Sequence, residues 1–306
     1  MSQVPDLSVD LAGIRLANPV IAASGTFGYG EEFERFADLR QIGGICVKGT
    51  SARPIEGNPA PRLYPTPSGM LNSIGLENVG VDAFVRDKMP LLRKAGCAIF
   101  VNVFGFTEDE YVEVVEKLNT CDGIAAYELN ISCPNTREGG MVFGQSPQLT
   151  QHLTRRLRDR TTRPIIVKLS PNVTDIVELA RAAEDGGASA LSIANTFLAM
   201  AIDPETFKPR IHTVTGGLSG PAIRPITLRM VYQCARAVQI PVIGLGGIAR
   251  GEDAVEYFLA GATAIQVGTA NFYDPRAPLE VLDGLERFMR RKRLSSVRDL
   301  VGAIRI

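Results

Sequence analysis

Eight short apolar runs, most of them rich in β-branched residues, recur along the chain. They are Pro19–Ala23, Gly44–Lys48, Ala98–Val103, Ala126–Ile131, Pro164–Leu169, Ala190–Ala194, Pro241–Leu245 and Ala264–Gly268. Continuous apolar runs of this length suit strands buried on both faces, as in a parallel sheet. Parallel neighbours require long crossovers, and amphipathic stretches supply them. In Glu108–Leu118 the apolar Tyr111, Val112, Val114, Val115 and Leu118 follow helical spacing, behind a capping Thr107 and three acids. Thr174–Gly186 reads the same way, with Thr174 as cap and Gly186-Gly187 as stop, and Arg250–Gly261 is a third case. Pro90 predicts that Val81–Gly96 is kinked or made of two pieces. Eight strands alternating with helices predict an α/β fold, a (β/α)8 TIM barrel. An open doubly wound sheet is the alternative; the even count and the Gly-rich ends of the last two runs favour the barrel. No linker, charge run or low-complexity tract divides residues 1–306, which predicts a single domain.

One segment breaks the alternation. Arg53–Gly69 holds Pro54, Pro59, Pro61, Pro65 and Pro67, so it is neither a helix nor a central strand. It reads as an excursion over one mouth of the barrel. Lys plus Arg and Asp plus Glu each number 33, and a neutral chain is a poor general binder of nucleic acid or anionic membrane. None of the five cysteines forms a C-x-x-C pair and only two histidines occur, which argues against a disulfide scaffold, an intrinsic metal site and a His-based triad. The N-terminal MSQVPDLSVDLAG lacks the pattern of a signal peptide, and no apolar run approaches the roughly 20 residues of a membrane span. The expectation is a soluble, cytoplasmic protein.

In such barrels the functional residues sit at the C-terminal strand ends. Read in order, those ends give Ser24, Gly25 and Thr26; Lys48 and Gly49; Asn102; Asn130 and Ser132; Lys168 and Ser170; Asn195 and Thr196; Gly246 and Gly247; Gly268 and Thr269. Any strand ends in polar residues, so one Asn means little. Two lysines ending otherwise apolar strands say more, because a buried ammonium needs a partner, and a ligand at the mouth is one. The glycines of the last two ends suit a phosphate site built from backbone N–H groups, although turn chemistry alone also explains them. GLGGI is not a dinucleotide fingerprint, so direct NAD binding is not indicated. The Gly-rich Thr215–Pro221 offers further backbone donors and ends in a Pro suited to a helix start. Cys133 stands in the loop NISCPN at the expected mouth, followed by the Gly-rich Arg137–Gly144, which has the composition of a lid. A lone Cys is commonly a small buried hydrophobe, the reading that fits Cys46, Cys97, Cys121 and Cys234. Cys133, among polar residues, reads equally as a general base or nucleophile.

Taken together, ASGTFG (23–28), VKG (47–49), EGNPAPR (56–62), GMLNSIGLEN (69–78), VNVFG (101–105), LNISCPN (129–135), VKLSPN (167–172), ANT (194–196), GGLSGP (216–221) and GLGGI (244–248) resemble the class 1 dihydroorotate dehydrogenases over nearly the whole chain. Within that class GGMVFGQSP and EGNPAPR are similar to the 1B catalytic subunit. The resemblance implies an FMN-binding barrel that oxidises (S)-dihydroorotate to orotate in pyrimidine biosynthesis. It implies FMN contacts from Ser24, Lys48, Gly49, Asn102, Asn130, Lys168, Ala194, Gly220, Gly246, Gly247, Gly268 and Thr269. Lys48, Asn72, Ser73, Ile74, Gly75, Leu76, Asn130, Asn195 and Thr196 would surround the substrate, with Cys133 as the base. It also implies a homodimer core within a heterotetramer, whose second subunit carries FAD and a [2Fe–2S] cluster and passes electrons to NAD+. The absence of a Cys cluster and of a dinucleotide fingerprint here fits that division.

The residue types suit this chemistry. Dihydroorotate must lose a C5 proton and a C6 hydride; FMN takes the hydride and the protein supplies base, orientation and electrostatics. Asparagines offer donor and acceptor to a pyrimidine ring without charge. A cationic Lys168 would stabilise negative charge on reduced FMN, and Lys48 would bridge flavin and substrate carboxylate. An ordinary thiol is mostly protonated at neutral pH, so activity is expected to rise towards alkaline pH. The alternatives are a class 1A, fumarate-reducing homodimer, a dihydropyrimidine dehydrogenase-like reductase, and a flavin-free scaffold barrel.

Overall fold

A computed structural model of the chain describes residues 4–131 and 143–306. Eight parallel strands close into a barrel in sequential order. They are β1 (Val20–Ala22), β2 (Gly44–Cys46), β3 (Ala98–Val103), β4 (Ala126–Asn130), β5 (Ile165–Lys168), β6 (Ala190–Ile193), β7 (Val242–Leu245) and β8 (Ala264–Val267). Each lies inside one of the apolar runs read from the sequence. β8 pairs with β1, Ile265 opposite Val20, and this closure excludes the open sheet. The strands are buried almost throughout because both faces are covered, by the helical ring outside and by interdigitating side chains inside.

The helix Glu108–Asn119 starts where expected: the Thr107 hydroxyl accepts from the Glu110 amide at 3.3 Å. The next predicted helix spans Ile176–Asp185, and its cap is Asp175 rather than Thr174. The Asp175 carboxylate accepts from the Val177 amide at 2.8 Å, so the adjacent acid takes the role a Thr would otherwise fill. The third runs Gly251–Leu259, where Asp253 receives the amides of Ala249 and Arg250. Around Pro90 the chain forms Gly80–Ala83, a π-helical turn Phe84–Lys88, and Met89–Leu92. The wider turn absorbs the N–H that Pro90 lacks.

The Pro-rich excursion becomes part of a second, smaller sheet. Its strands are ordered Phe197–Met200, Thr215–Ser219, Gly69–Asn72 and Leu63–Thr66. Leu63–Thr66 contains Pro65 and is an edge strand, the one place where a missing N–H is tolerated. Thr215–Ser219, expected as a loop of phosphate-facing donors, is instead a strand between Phe197–Met200 and Gly69–Asn72. Its glycines serve close packing: a Cβ on Gly217 would stand 2.0 Å from the Thr196 hydroxyl. Pro221 then opens a 3-10 turn that leads into the helix Arg224–Ala235, the helix start its sequence announced.

Candidate functional site

The C-terminal ends of the barrel strands and the inner face of the small sheet enclose one cavity. Its walls carry Ser24, Lys48, Gly49, Asn102, Asn130, Lys168, Ala194, Gly246, Gly247, Gly268 and Thr269. They also carry Asn72, Ile74, Gly75, Leu76, Asn195 and Thr196. Three of the residues singled out in the sequence lie off the wall: Ser170, which is buried, Gly220 and Ser73. Gly220, at φ +95°, sits behind Gly247, and a Cβ there would meet the Gly69 Cα at 2.7 Å. Ser73 is fully buried behind Ile74, with its amide donating to the Arg62 carbonyl at 2.8 Å. Cys133, Ser132 and residues 137–142 of the expected lid lie outside the described residues. The end of that segment is anchored: Phe143 meets the Tyr111 ring edge-on at 6.0 Å between centroids.

The cavity has two chemically distinct ends. At one, Gly246 and Gly247 turn with φ +133° and +70°, conformations open to glycine, and Gly268 precedes the 3-10 turn Thr269–Phe272. The amides of Gly246, Gly247, Gly268 and Thr269 find no backbone acceptor among the described residues. Tyr257 holds this end in shape, its hydroxyl donating to the Gly246 carbonyl at 2.7 Å. Such a cluster of outward N–H groups suits an anion. At the other end Asn72, Asn130, Asn195 and Thr196 converge with the half-buried Lys48, which has no ion pair among the described residues. The Asn195 amide donates to Asn130 Oδ1 at 3.4 Å, and the buried Tyr111 hydroxyl donates to the Asn130 carbonyl at 2.8 Å. Asn172, which did not stand out in the sequence, bonds Thr196 O and Leu198 N and so fixes the loop after β6.

Beneath both ends lies a polar layer of which sequence reading named Asn102 and Lys168 but passed over Glu128 and Gln266. Lys168 does have a partner, and it is a protein carboxylate rather than only a ligand: Glu128 Oε1 lies 3.6 Å from the ammonium, both groups almost wholly buried. Glu128 also accepts from Asn102 Nδ2 at 2.7 Å, Gln266 Nε2 at 2.6 Å and the Cys46 thiol at 3.2 Å. Burial alone would raise its pKa; Lys168 and these donors outweigh burial and hold the carboxyl below its ordinary range. Burial first, and the Glu128 charge next, push the Cys46 thiol well up, so it stays a neutral donor. Glu128 stands in the middle of AYELNI, where alternating barrel geometry aims it inward. An acid inside an apolar run was the available signal.

Asn102 Oδ1 and Gln266 Oε1 are buried without a hydrogen-bond partner among the described residues, and both side chains line the cavity. Buried acceptors are rarely left unpaired, so they mark a place for a donor on a ligand. The free amides at the glycine end mark a place for an anion. The donor set therefore fits a flat heterocycle bearing an N–H and a phosphate, the character of a flavin mononucleotide.

Fold and site give a (β/α)8 barrel whose mouth carries a cluster of glycine amides suited to a phosphate, buried acceptors suited to a heterocycle N–H, and a half-buried lysine suited to an anion. The family model for dihydroorotate dehydrogenase matches residues 6–289. A relative from Solibacter usitatus, named a dihydroorotate dehydrogenase A (fumarate), is 55% identical over 98% of this chain and 99% of its own. The "dihydroorotate dehydrogenase B (NAD(+)), catalytic subunit" of Geotalea uraniireducens is 53% identical over 98% of each chain. A crystal structure of DHODH from Eimeria tenella in complex with ferulenol shares the fold at TM-score 0.83 and 24% identity, covering 98% of this chain and 88% of that one. The chain belongs to the dihydroorotate dehydrogenase family, flavin-dependent oxidoreductases of pyrimidine biosynthesis.

Proposed function

We propose that this chain is the catalytic subunit of an NAD+-linked dihydroorotate dehydrogenase that binds one FMN. The observation that carries the reading is the two-ended cavity. Lys168, Asn102, Gly49, Ser24 and Ala194 would hold the flavin ring, with Gly246, Gly247, Gly268 and Thr269 around its phosphate. Lys48 would meet the substrate carboxylate, and Asn72, Asn130, Asn195 and Thr196 the pyrimidine ring. Bound there, FMN supplies the hydride acceptor. The chain's own residues do the rest. The asparagines orient the ring through paired donors and acceptors, and Lys48 fixes the carboxylate by charge. The small sheet, with Ile74 and Leu76, excludes water from one face. Cys133 takes the C5 proton as thiolate. Among the described residues no helix is long and apolar enough to cross a membrane.

The name of the Geotalea relative supports a partner subunit that draws electrons out of the site; we place FAD and a [2Fe–2S] cluster on it, around a homodimer of this chain, in the cytoplasm. The Solibacter relative favours a second reading, in which fumarate is the acceptor and no partner is needed. Oxidant exchange separates the two: the chain alone, reduced by dihydroorotate, is mixed anaerobically with NAD+ and then with fumarate. Inertness to both is expected. Rapid reoxidation by fumarate would replace the NAD+ assignment with the fumarate one.

A further inference from the structure

The five side chains of the buried polar layer come from five strands: Cys46, Asn102, Glu128, Lys168 and Gln266. Asn102 and Glu128 are directly paired across β3 and β4, so both point into the barrel. A carboxylate only accepts hydrogen bonds. Each amide that touches Glu128 must therefore turn its nitrogen to it and its oxygen away. That is the observed arrangement: Asn102 Nδ2 and Gln266 Nε2 each donate to a separate oxygen of Glu128. The two amide oxygens are left buried and unpaired. Asn102 Oδ1 lies 3.2 Å from the point where a Cβ on Gly49 would stand, at the cavity wall. A neutral Gln at position 128 would impose no such direction, since it has a donor of its own.

We propose that Glu128 is a positioning residue that sets the hydrogen-bonding polarity of the cavity floor, fixing the Asn102 and Gln266 amides with their oxygens towards the ligand and holding the Lys168 ammonium beside them. The floor then offers acceptors next to a cation. It selects a ring edge that places an N–H beside a carbonyl, the imide-type edge of a flavin's pyrimidine ring. This rests on the flavin reading given above. It adds a residue that touches neither flavin nor substrate to the determinants of cofactor choice and potential.

The test is Glu128→Gln, which keeps size and shape, beside the reciprocal pair Glu128→Gln/Gln266→Glu. The pair returns the carboxylate one hydrogen bond away and again shows an oxygen to the cavity. Apoprotein of each is titrated with FMN by flavin fluorescence, and the midpoint potential of the bound flavin is measured. Glu128→Gln is expected to bind oxidised FMN at least tenfold more weakly. Its reduced form should lose less, because Lys168 loses its counter-charge; a tenfold difference between the two forms raises the potential by about 30 mV. The reciprocal pair should recover most of both. Glu128→Gln affinity within twofold of wild type at an unchanged potential overturns the proposal. So does equal loss in the single and reciprocal variants with no change in potential, the signature of a merely structural role. Wild-type apoprotein that binds no FMN sinks the flavin reading itself, and the inference with it.

Discussion

Lys168→Met should reverse the pH dependence of stability that Glu128 contributes. In the native chain the Glu128 carboxyl lies below its ordinary 4.5, because Lys168 is the largest influence opposing burial. The unfolded state then binds more protons than the folded one under acid conditions. This contribution is full above pH 4.5 and is lost as pH falls through the lowered folded value. Lys168→Met removes the largest influence that opposes burial, and burial, the largest influence of all, is expected to carry the folded carboxyl above its ordinary value. The folded state then holds the extra proton, so stability is kept at low pH and lost as pH rises past 4.5. The pair is almost wholly buried at 3.6 Å, and removing one partner of such a pair costs about 3–5 kcal/mol. The remaining donors from Asn102, Gln266 and Cys46 place the cost nearer the lower figure. At roughly 2–4 °C per kcal/mol for a large domain, the midpoint should fall by about 6–12 °C at pH 8 and by clearly less at pH 5. Thermal unfolding of both apoproteins by circular dichroism between pH 5 and 8 reads this out. A variant whose deficit is the same at both ends, or greater at pH 5, would show that Lys168 does not hold Glu128 ionised.

Lys48→Ala removes the half-buried cation that has no ion pair among the described residues. A charge-assisted hydrogen bond of about 1.5–3 kcal/mol predicts a KM for dihydroorotate raised roughly 10- to 100-fold, with FMN content kept, as steady-state assays and absorbance will check. Tyr257→Phe deletes the donor 2.7 Å from the Gly246 carbonyl. Thr227 still reaches that oxygen at 3.4 Å, so the loss should be about 1 kcal/mol, seen as a few-fold weaker retention of FMN in dialysis. Cys133→Ser should lower turnover at pH 7 by about 10²-fold or more while FMN stays bound; near-normal turnover would remove Cys133 as the base.

The barrel was legible because each strand lies in a short, largely apolar run and helical spacing recurs between the runs, signals that are local. The barrel-end wall residues were legible for the same reason: they stand at strand ends, and the chain order of those ends is their order around the mouth; Asn72, Ile74, Gly75 and Leu76, carried by the small sheet, were named only through the family resemblance. The small sheet was not. Phe197–Met200 pairs with Thr215–Ser219, which in turn pairs with Gly69–Asn72 more than a hundred positions earlier, and no local pattern encodes that second pairing. Glu128 and Gln266 were passed over because an inward polar residue in a strand looks like an interruption of the run until its partners on other strands are in view. Asn172 escaped for a related reason, since its two bonds only organise the loop that carries Thr196. The cap at Asp175 shows the ordinary limit of boundary reading, where two adjacent residues can both cap and backbone geometry decides.

Whether this cavity joins a flavin to dihydroorotate is decided by mixing the purified chain with dihydroorotate under anaerobic stopped-flow absorbance. A flavin band that bleaches within one turnover is expected. A protein with no flavin band, or a band that dihydroorotate leaves unchanged, would overturn the dehydrogenase reading.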